Sequence, residues 1–159
     1  CIRDRDGGAT KVKEGASTDM RRDDEIEAVG MAIARTHEEA QGRTVEDVSA
    51  EAHGGFDLRS LAFDEDGGFR DVRYIEVKAR SRTGAIRLTA NEWKKARHFG
   101  DQYWLYVVTE AGSDEPTLER IRNPARAFTE DEDIFATGFI IPEDRWRTHG
   151  IEHSDGTEP

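Results

Sequence analysis

Three patterns in this 159-residue chain predict an α/β fold with a mixed central sheet flanked by helices. Apolar residues recur at helical spacing over 23–41, side-chain character alternates over 56–63 and 72–79, and 103–109 is almost continuously apolar. Those are the periods of an amphipathic helix, of half-buried strands and of a strand covered on both faces. The length suits one domain, and a hydrophobic content of 35% supplies one modest core. There is no run of the roughly eighteen apolar residues that a membrane span needs, and no apolar centre of a secretory signal near the start. A soluble, cytoplasmic protein without membrane association is expected. The lone cysteine, Cys1, excludes an internal disulfide and a Cys-built zinc site. A chain that opens on Cys is expected to be a fragment of a longer one.

Residues 1–22 hold Gly7, Gly8 and Gly15 among mixed charges without a sustained period, and read as a linker or frayed entry to a domain over 23–150. Ile26, Val29, Ile33 and Ala40 then mark a helix over 23–41, with Asp23, Asp24 and Glu25 suited to its N-terminal end and Gly42 to its stop. The stretch 45–52 is ambiguous, and Gly54-Gly55 is a break. Phe56, Leu58, Ser60 and Ala62 alternate against Asp57, Arg59, Leu61 and Phe63 as a half-buried strand, and 64–68 (Asp-Glu-Asp-Gly-Gly) is a hairpin turn. That acidic turn is no EF-hand, because the bidentate Glu belongs at the twelfth position, which counted from Asp64 is Ile75. A second strand covers 72–79 and a short third one 85–88, which together make a three-stranded antiparallel meander. Thr89-Ala90-Asn91-Glu92 has the spacing of a capping box and predicts a helix over 90–99, closed near Gly100. Residues 103–109 form the buried strand. Later strands are expected at 118–121 and 138–141, separated by the acidic stretch 130–133, and 151–159 is a polar tail.

Charge is distributed unevenly. With 23 Lys and Arg against 34 Asp and Glu, the net charge is −11. Between Phe69 and Val107, however, nine basic residues face four acidic ones. A locally basic centre inside an acidic exterior keeps a phosphate-bearing partner open, although ordinary solvated faces explain the same residues. Arg80, Arg82, Lys94 and Lys95 flank the region discussed next and are candidates to hold phosphates, with a solvated face as the competing reading. Trp93, Trp104 and Tyr106 are of the type that stacks on bases, but on these elements they read as core. His37, His53, His98, His149 and His153 show no metal-ligand spacing.

Chemistry concentrates on the first two strands. Asp57 lies on one strand of the hairpin and Glu76 on the next, with Lys78 two residues on and therefore on the face of Glu76. Two unit charges about 4 Å apart repel by roughly 4 kcal/mol at an effective dielectric near 20, so such a carboxylate pair requires a cation or a proton. Magnesium suits the need, because it takes oxygen ligands and commonly binds through one or two carboxylates plus substrate phosphate. Glu-x-Lys on a strand is also a common surface ion pair. Here it sits inside the apolar run Tyr74-Ile75-Val77, and Asp57 follows a Gly-Gly break that allows close approach of a ligand.

The blocks Gly55-Phe56-Asp57-Leu58-Arg59-Ser60, Tyr74-Ile75-Glu76-Val77-Lys78, Leu88-Thr89-Ala90-Asn91-Glu92-Trp93, Tyr103-Trp104-Leu105-Tyr106-Val107-Val108 and Ile121-Arg122-Asn123-Pro124 occur in this order. Together, over roughly Asp23 to Pro124, they resemble the domain named after the C-terminal part of the plant protein NO VEIN. That family is similar to the PD-(D/E)XK, or restriction-endonuclease-like, superfamily, often fused to helicases or encoded in restriction and antiviral defence loci. The resemblance implies a restriction-endonuclease-like core and a Mg2+-dependent endonuclease (Mn2+ serving as well) that hydrolyses DNA, as the effector of a restriction or defence system. It implies Asp57 and Glu76 as metal carboxylates, the carbonyl of Val77 as a further ligand and Lys78 as the catalytic lysine. A first-helix Glu often joins such a site, here Glu38 or Glu39, with Glu38 preferred. A helicase or other ATPase, or another defence subunit, is the partner it implies, and cutting both strands would suit a homodimer. The alternative is a module of the same fold that has lost turnover and binds DNA or a partner ATPase.

Overall fold

A strand covered on both faces needs a layer on each side, and the chain supplies two. The computed structural model describes residues 12–52, 54–128, 134–135 and 138–152. Its elements are α1 (Val12–Ala40), β1 (Thr44–Asp47), β2 (Leu58–Phe63), β3 (Phe69–Ala79), β4 (Ile86–Leu88), α2 (Ala90–Phe99), a 3-10 turn (Gly100–Gln102), β5 (Tyr103–Thr109), β6 (Thr117–Arg122), α3 (Pro124–Ala127), β7 (Ile134–Phe135), β8 (Gly138–Ile141), α4 (Glu143–His149) and β9 (Ile151–Glu152). Six strands form one sheet in the order β1-β2-β3-β5-β6-β9, parallel only between β3 and β5. The sheet is therefore mixed and flanked by helices, as the sequence predicts. All seven residues of β5 are buried. One face is covered by α1, through Ala34 packed with Leu58, Ile75, Trp104 and Tyr106. On the other face Trp93 of α2 joins Leu105, Val107, Ile121 and Trp146. Trp93, Trp104 and Tyr106 are thus core residues, as their positions predict.

The parallel step from β3 to β5 requires a crossover, and β4 with α2 provides it. This corrects the expected meander. β4 does not extend the main sheet, because both edges of β3 are already taken by β2 and β5; it pairs instead with β8 in a separate sheet ordered β4-β8-β7. The third strand of the antiparallel meander is β1, from the stretch the sequence leaves ambiguous. The first helix also starts earlier than its apolar period, at Val12. Once a helix is nucleated each further residue adds a hydrogen bond, so a charged, aperiodic stretch can still continue it. The expected entry segment is therefore helical from residue 12 onward, while 1–11, the acidic stretch 130–133 and residues 153–159 of the expected tail lie outside the described residues. Among the described residues no helix is long and apolar enough to cross a membrane.

The hairpin turn after β2 forms as its residues require. Gly67 takes φ +81°, and Asp64 Oδ1 accepts from the backbone N–H groups of Asp66 and Gly68 at 3.1 and 2.6 Å. Helix α1 approaches the sheet closely at Gly30, where an added Cβ would stand 2.5 Å from the Ala79 Cβ. Close-packed interiors do not absorb such an overlap without moving backbone. Gly30→Val is expected to lower stability by roughly 1–3 kcal/mol, read as a reduced urea midpoint. An unchanged midpoint would show that α1 does not seat on β3 at this distance.

Candidate active site

The site begins where the β2–β3 ladder stops. Its last backbone pair is Leu58 with Ile75, and Asp57 N–H still donates to the Ile75 carbonyl at 2.8 Å. Beyond that point no β2 backbone meets Val77, and the Asp57 side chain takes over: Val77 N–H donates to Asp57 Oδ2 at 2.8 Å. The N–H and C=O of a strand residue face the same edge, so the Val77 carbonyl lies on the edge of β3 that Asp57 occupies. The loop before Asp57 is fixed from below. Tyr103 OH donates to the Gly55 carbonyl at 2.8 Å, and Phe56 is buried against Tyr74 and Phe99, whose rings stack 4.0 Å apart. Gly55 is at φ +68°, and a Cβ there would meet Lys95 Cγ at 2.6 Å. Glycine is thus required twice over, for conformation and for space.

Glu76 and Lys78 reach the same place from β3, on the face that α2 covers. Glu76 is only 4% exposed. Lys78 Nζ lies 2.6 Å from Glu76 Oε1 and 2.9 Å from Glu92 Oε2. Glu92 is the residue that the sequence identifies as the far half of a capping box, and the box is present: Thr89 Oγ1 accepts from Glu92 N–H at 3.2 Å while Thr89 N–H donates to Glu92 Oε2 at 2.8 Å. The same carboxylate that starts α2 therefore also clamps the lysine. Nothing in the local pattern distinguishes a cap from a cap that doubles as a site residue, so the sequence reading missed Glu92. Asp57, Glu76, Glu92 and Glu51 line one polar cleft of about 230 Å³, together with Asn91, Thr89 and Ser49.

Two sets of expected site residues fare differently. Glu38 is not brought to the cleft, which corrects the helix assignment. Its buried carboxylate accepts from Ser60 Oγ at 2.7 Å, from Arg73 Nη1 at 3.0 Å and from Tyr106 OH, and it pairs with Arg43 at 3.2 Å. Side chains alternate along β3, so Arg73 and its partner Glu38 lie on the face opposite Glu76. The physical reason is compensation, since a fully buried carboxylate at the end of α1 needs buried cations and donors, and that face holds them. Glu39 sits at the surface beside Arg35, at 3.7 Å. Of the four expected phosphate-holding side chains, Lys95 borders the cleft through Gly55. Arg80 folds back and donates to the Ala85 carbonyl, while Arg82 and Lys94 are exposed.

The cleft concentrates carboxylates. Burial pushes Glu76 up to about 8, with Asp57 and Glu92 adding to the rise and Lys78 opposing it. Burial also raises Asp57, against the Val77 N–H and Lys78. Burial alone would lower Lys78, but Glu76 and Glu92 outweigh it and hold the ammonium above its ordinary range. Among the described residues no three His, Cys, Asp or Glu side chains are grouped to hold a metal ion by themselves. Asp57, Glu76 and the Val77 carbonyl are the oxygen donors available to a divalent ion, with water or a ligand to complete its shell.

These shifts fix a pH dependence. Glu76 titrates near 4.5 unfolded and about 8 folded, so within that window the folded protein holds protons that the unfolded chain has released. Stability therefore falls as pH rises through the window. Asp57 acts in the same sense, whereas Lys78, already charged in both states, adds no slope there. In metal-free buffer Tm is expected to drop between pH 5 and pH 8, and the drop to shrink in Glu76→Gln; a wild-type Tm that rises across the window would contradict this burial of Glu76.

No curated protein and no solved structure gives a match to this chain. The family model described as Protein NO VEIN, C-terminal, matches residues 26–121, a span that holds β2, β3, α2 and every residue of the cleft. More than half of the chain is matched, and it belongs to the NO VEIN C-terminal family.

Proposed function

We propose that this chain is a divalent-metal-dependent nuclease domain of the PD-(D/E)XK type that hydrolyses DNA phosphodiester bonds, as the effector part of a restriction or defence protein. The observation that carries the proposal is the convergence of Asp57, just ahead of β2, with Glu76 and Lys78 of β3 on one cleft, with Glu76 buried and raised by burial to about 8. A carboxyl group this buried is stabilised by a proton or a nearby cation, and the surrounding donors are all oxygen, which fits magnesium or manganese. Asp57, Glu76 and the Val77 carbonyl would hold the ion, which when bound supplies a water of lowered pKa and neutralises charge on the phosphate oxygens. The protein's own groups do the rest. Val77 N–H fixes one oxygen of Asp57, which leaves the other to face the cleft. An ammonium has three N–H donors; Glu76 and Glu92 take two of Lys78's, and the third is available to orient a water or a phosphate oxygen. Lys95, at the rim beside Gly55, is positioned for the backbone of the strand.

A second reading, a binding module without turnover that serves DNA or a partner ATPase, is favoured by the same clamp, because a lysine held by two carboxylates is less available for chemistry. A helicase or other ATPase partner, and a dimer able to cut both strands, belong with the proposal. Plasmid incubated with magnesium or manganese separates the readings. Lys78→Ala and Asp57→Ala are each expected to reduce cleavage by about 10²–10⁴-fold. Both should keep wild-type circular dichroism: in Lys78→Ala, Glu76 with its partner gone is neutralised by a proton, and Asp57→Ala removes an acid from beside Glu76 and leaves the Val77 N–H to water. Cleavage by Lys78→Ala at the wild-type rate would refute the assignment, and binding of plasmid without any cleavage by wild type would select the second reading.

A further inference from the structure

Lys78 is held twice, and the two holds come from different elements. Glu76 Oε1 lies 2.6 Å from Nζ and stands two residues away on the same strand, whereas Glu92 Oε2 lies 2.9 Å away and belongs to the first turn of α2. The Glu92 carboxylate has an anchor of its own. The same Oε2 accepts from the Thr89 N–H at 2.8 Å, and the N-terminal end of a helix favours a negative charge. Its place in the cleft is therefore set by α2, independently of β3.

The two carboxylates also differ in what else draws on them. On the proposed function Glu76 shares its charge with a divalent ion, and a doubly charged cation beside it weakens its pull on the ammonium and repels that ammonium directly. Lysine carries its charge on a flexible stem. The Lys78 side chain is 21% exposed, so a way out to solvent is open to it if Glu76 is all that retains it. Glu92 is differently engaged, since its Oε2 already serves the Thr89 N–H and Lys78 itself.

We propose that Glu92 is the positioning residue of Lys78, the group that keeps the ammonium in the cleft when Glu76 turns to a divalent ion. The inference rests on the ion site of the nuclease reading, and its test reads the lysine itself. Cap and clamp are separable by substitution. Gln is accepted at the far position of a capping box, so Glu92→Gln keeps an acceptor for the Thr89 N–H while it replaces the charge-assisted bond to Lys78 with a neutral one, roughly half as strong. Thr89→Ala does the opposite: it deletes the Oγ1 that accepts from Glu92 N–H and leaves the backbone N–H that holds the carboxylate.

Proton–nitrogen correlation of the side-chain ammonium groups in nitrogen-15 lysine-labelled protein shows which lysines are held, because a free ammonium exchanges its protons with water too fast to be seen. The chain has five lysines, and the Lys78 signal is the one missing from Lys78→Ala. In wild type that signal is expected to persist when magnesium is added, while the Val77 backbone amide shifts. In Glu92→Gln it is expected without magnesium and lost with it. In Thr89→Ala it is expected in both conditions, at a lower urea midpoint. Cleavage by Glu92→Gln at saturating magnesium should fall about tenfold in kcat with KM unchanged, the sign of a misplaced group rather than of weaker substrate binding. A Lys78 signal that survives magnesium in Glu92→Gln, or one that vanishes with magnesium in wild type, would overturn the proposal and, with the Val77 amide shifted, leave the nuclease reading standing. A Val77 amide unmoved by magnesium in wild type would overturn both. The expected signals in a wild type that cuts no plasmid would keep the clamp and remove the turnover.

Discussion

One ammonium group, Lys78 Nζ, stands between a carboxylate from the sheet and a carboxylate from the helix that follows it. Buried ions are expensive, costing several kcal/mol each after relaxation, and a lone buried Glu76 would shed its charge. The lysine lessens that cost from one side, and the capping box of α2 brings Glu92 to it from the other. The start of α2, the end of the β2–β3 ladder and the electrostatics of the cleft are therefore not independent. Each fixes the same small volume, and a residue that moves one of them moves all three. This ties Glu76, Lys78 and Glu92 to β3 and α2, the condition under which, on the proposed function, a reacting group is held in place.

The two faces of the sheet solve the same problem in different ways. On the α1 face, Glu38 is matched with Arg43 and Arg73 and with two hydroxyl donors, so its charge is compensated inside the protein and joins the helix to the sheet. On the α2 face, Glu76 receives one shared lysine, and Asp57 adds a second acid beside it. The contrast is what separates a structural acid from a site acid here. Both are buried; only one is left with a deficit of positive charge that something from outside can fill.

Much of this was legible in the sequence. The alternation over 56–63 and 72–79, the continuous run at 103–109 and the Thr-x-x-Glu spacing at 89–92 each report a local period or a cap, and all four elements are present. The pairing of Asp57 with Glu76 and Lys78 follows from the same alternation once the hairpin turn is placed. What failed was non-local. β4 looks like a third meander strand until β5 takes the edge it would use, and a parallel crossover leaves no trace in the residues of β4 itself. Glu38 reads as a helix-end acid whether it faces a cleft or a buried arginine, because its partners Ser60, Arg73 and Tyr106 come from three different strands. Glu92 carries two roles on one carboxylate, and the sequence signals only the capping one.

On the proposed function, a divalent ion fills the charge deficit around Glu76 and Asp57. Crystals grown with manganese, with diffraction collected near the manganese absorption edge, test it without recourse to activity. The expected result is an anomalous peak touching both the Asp57 and Glu76 carboxylates, on the side of the Val77 carbonyl. A map with those carboxylates ordered and no peak between them, or with manganese bound only at the surface acids, would contradict the account.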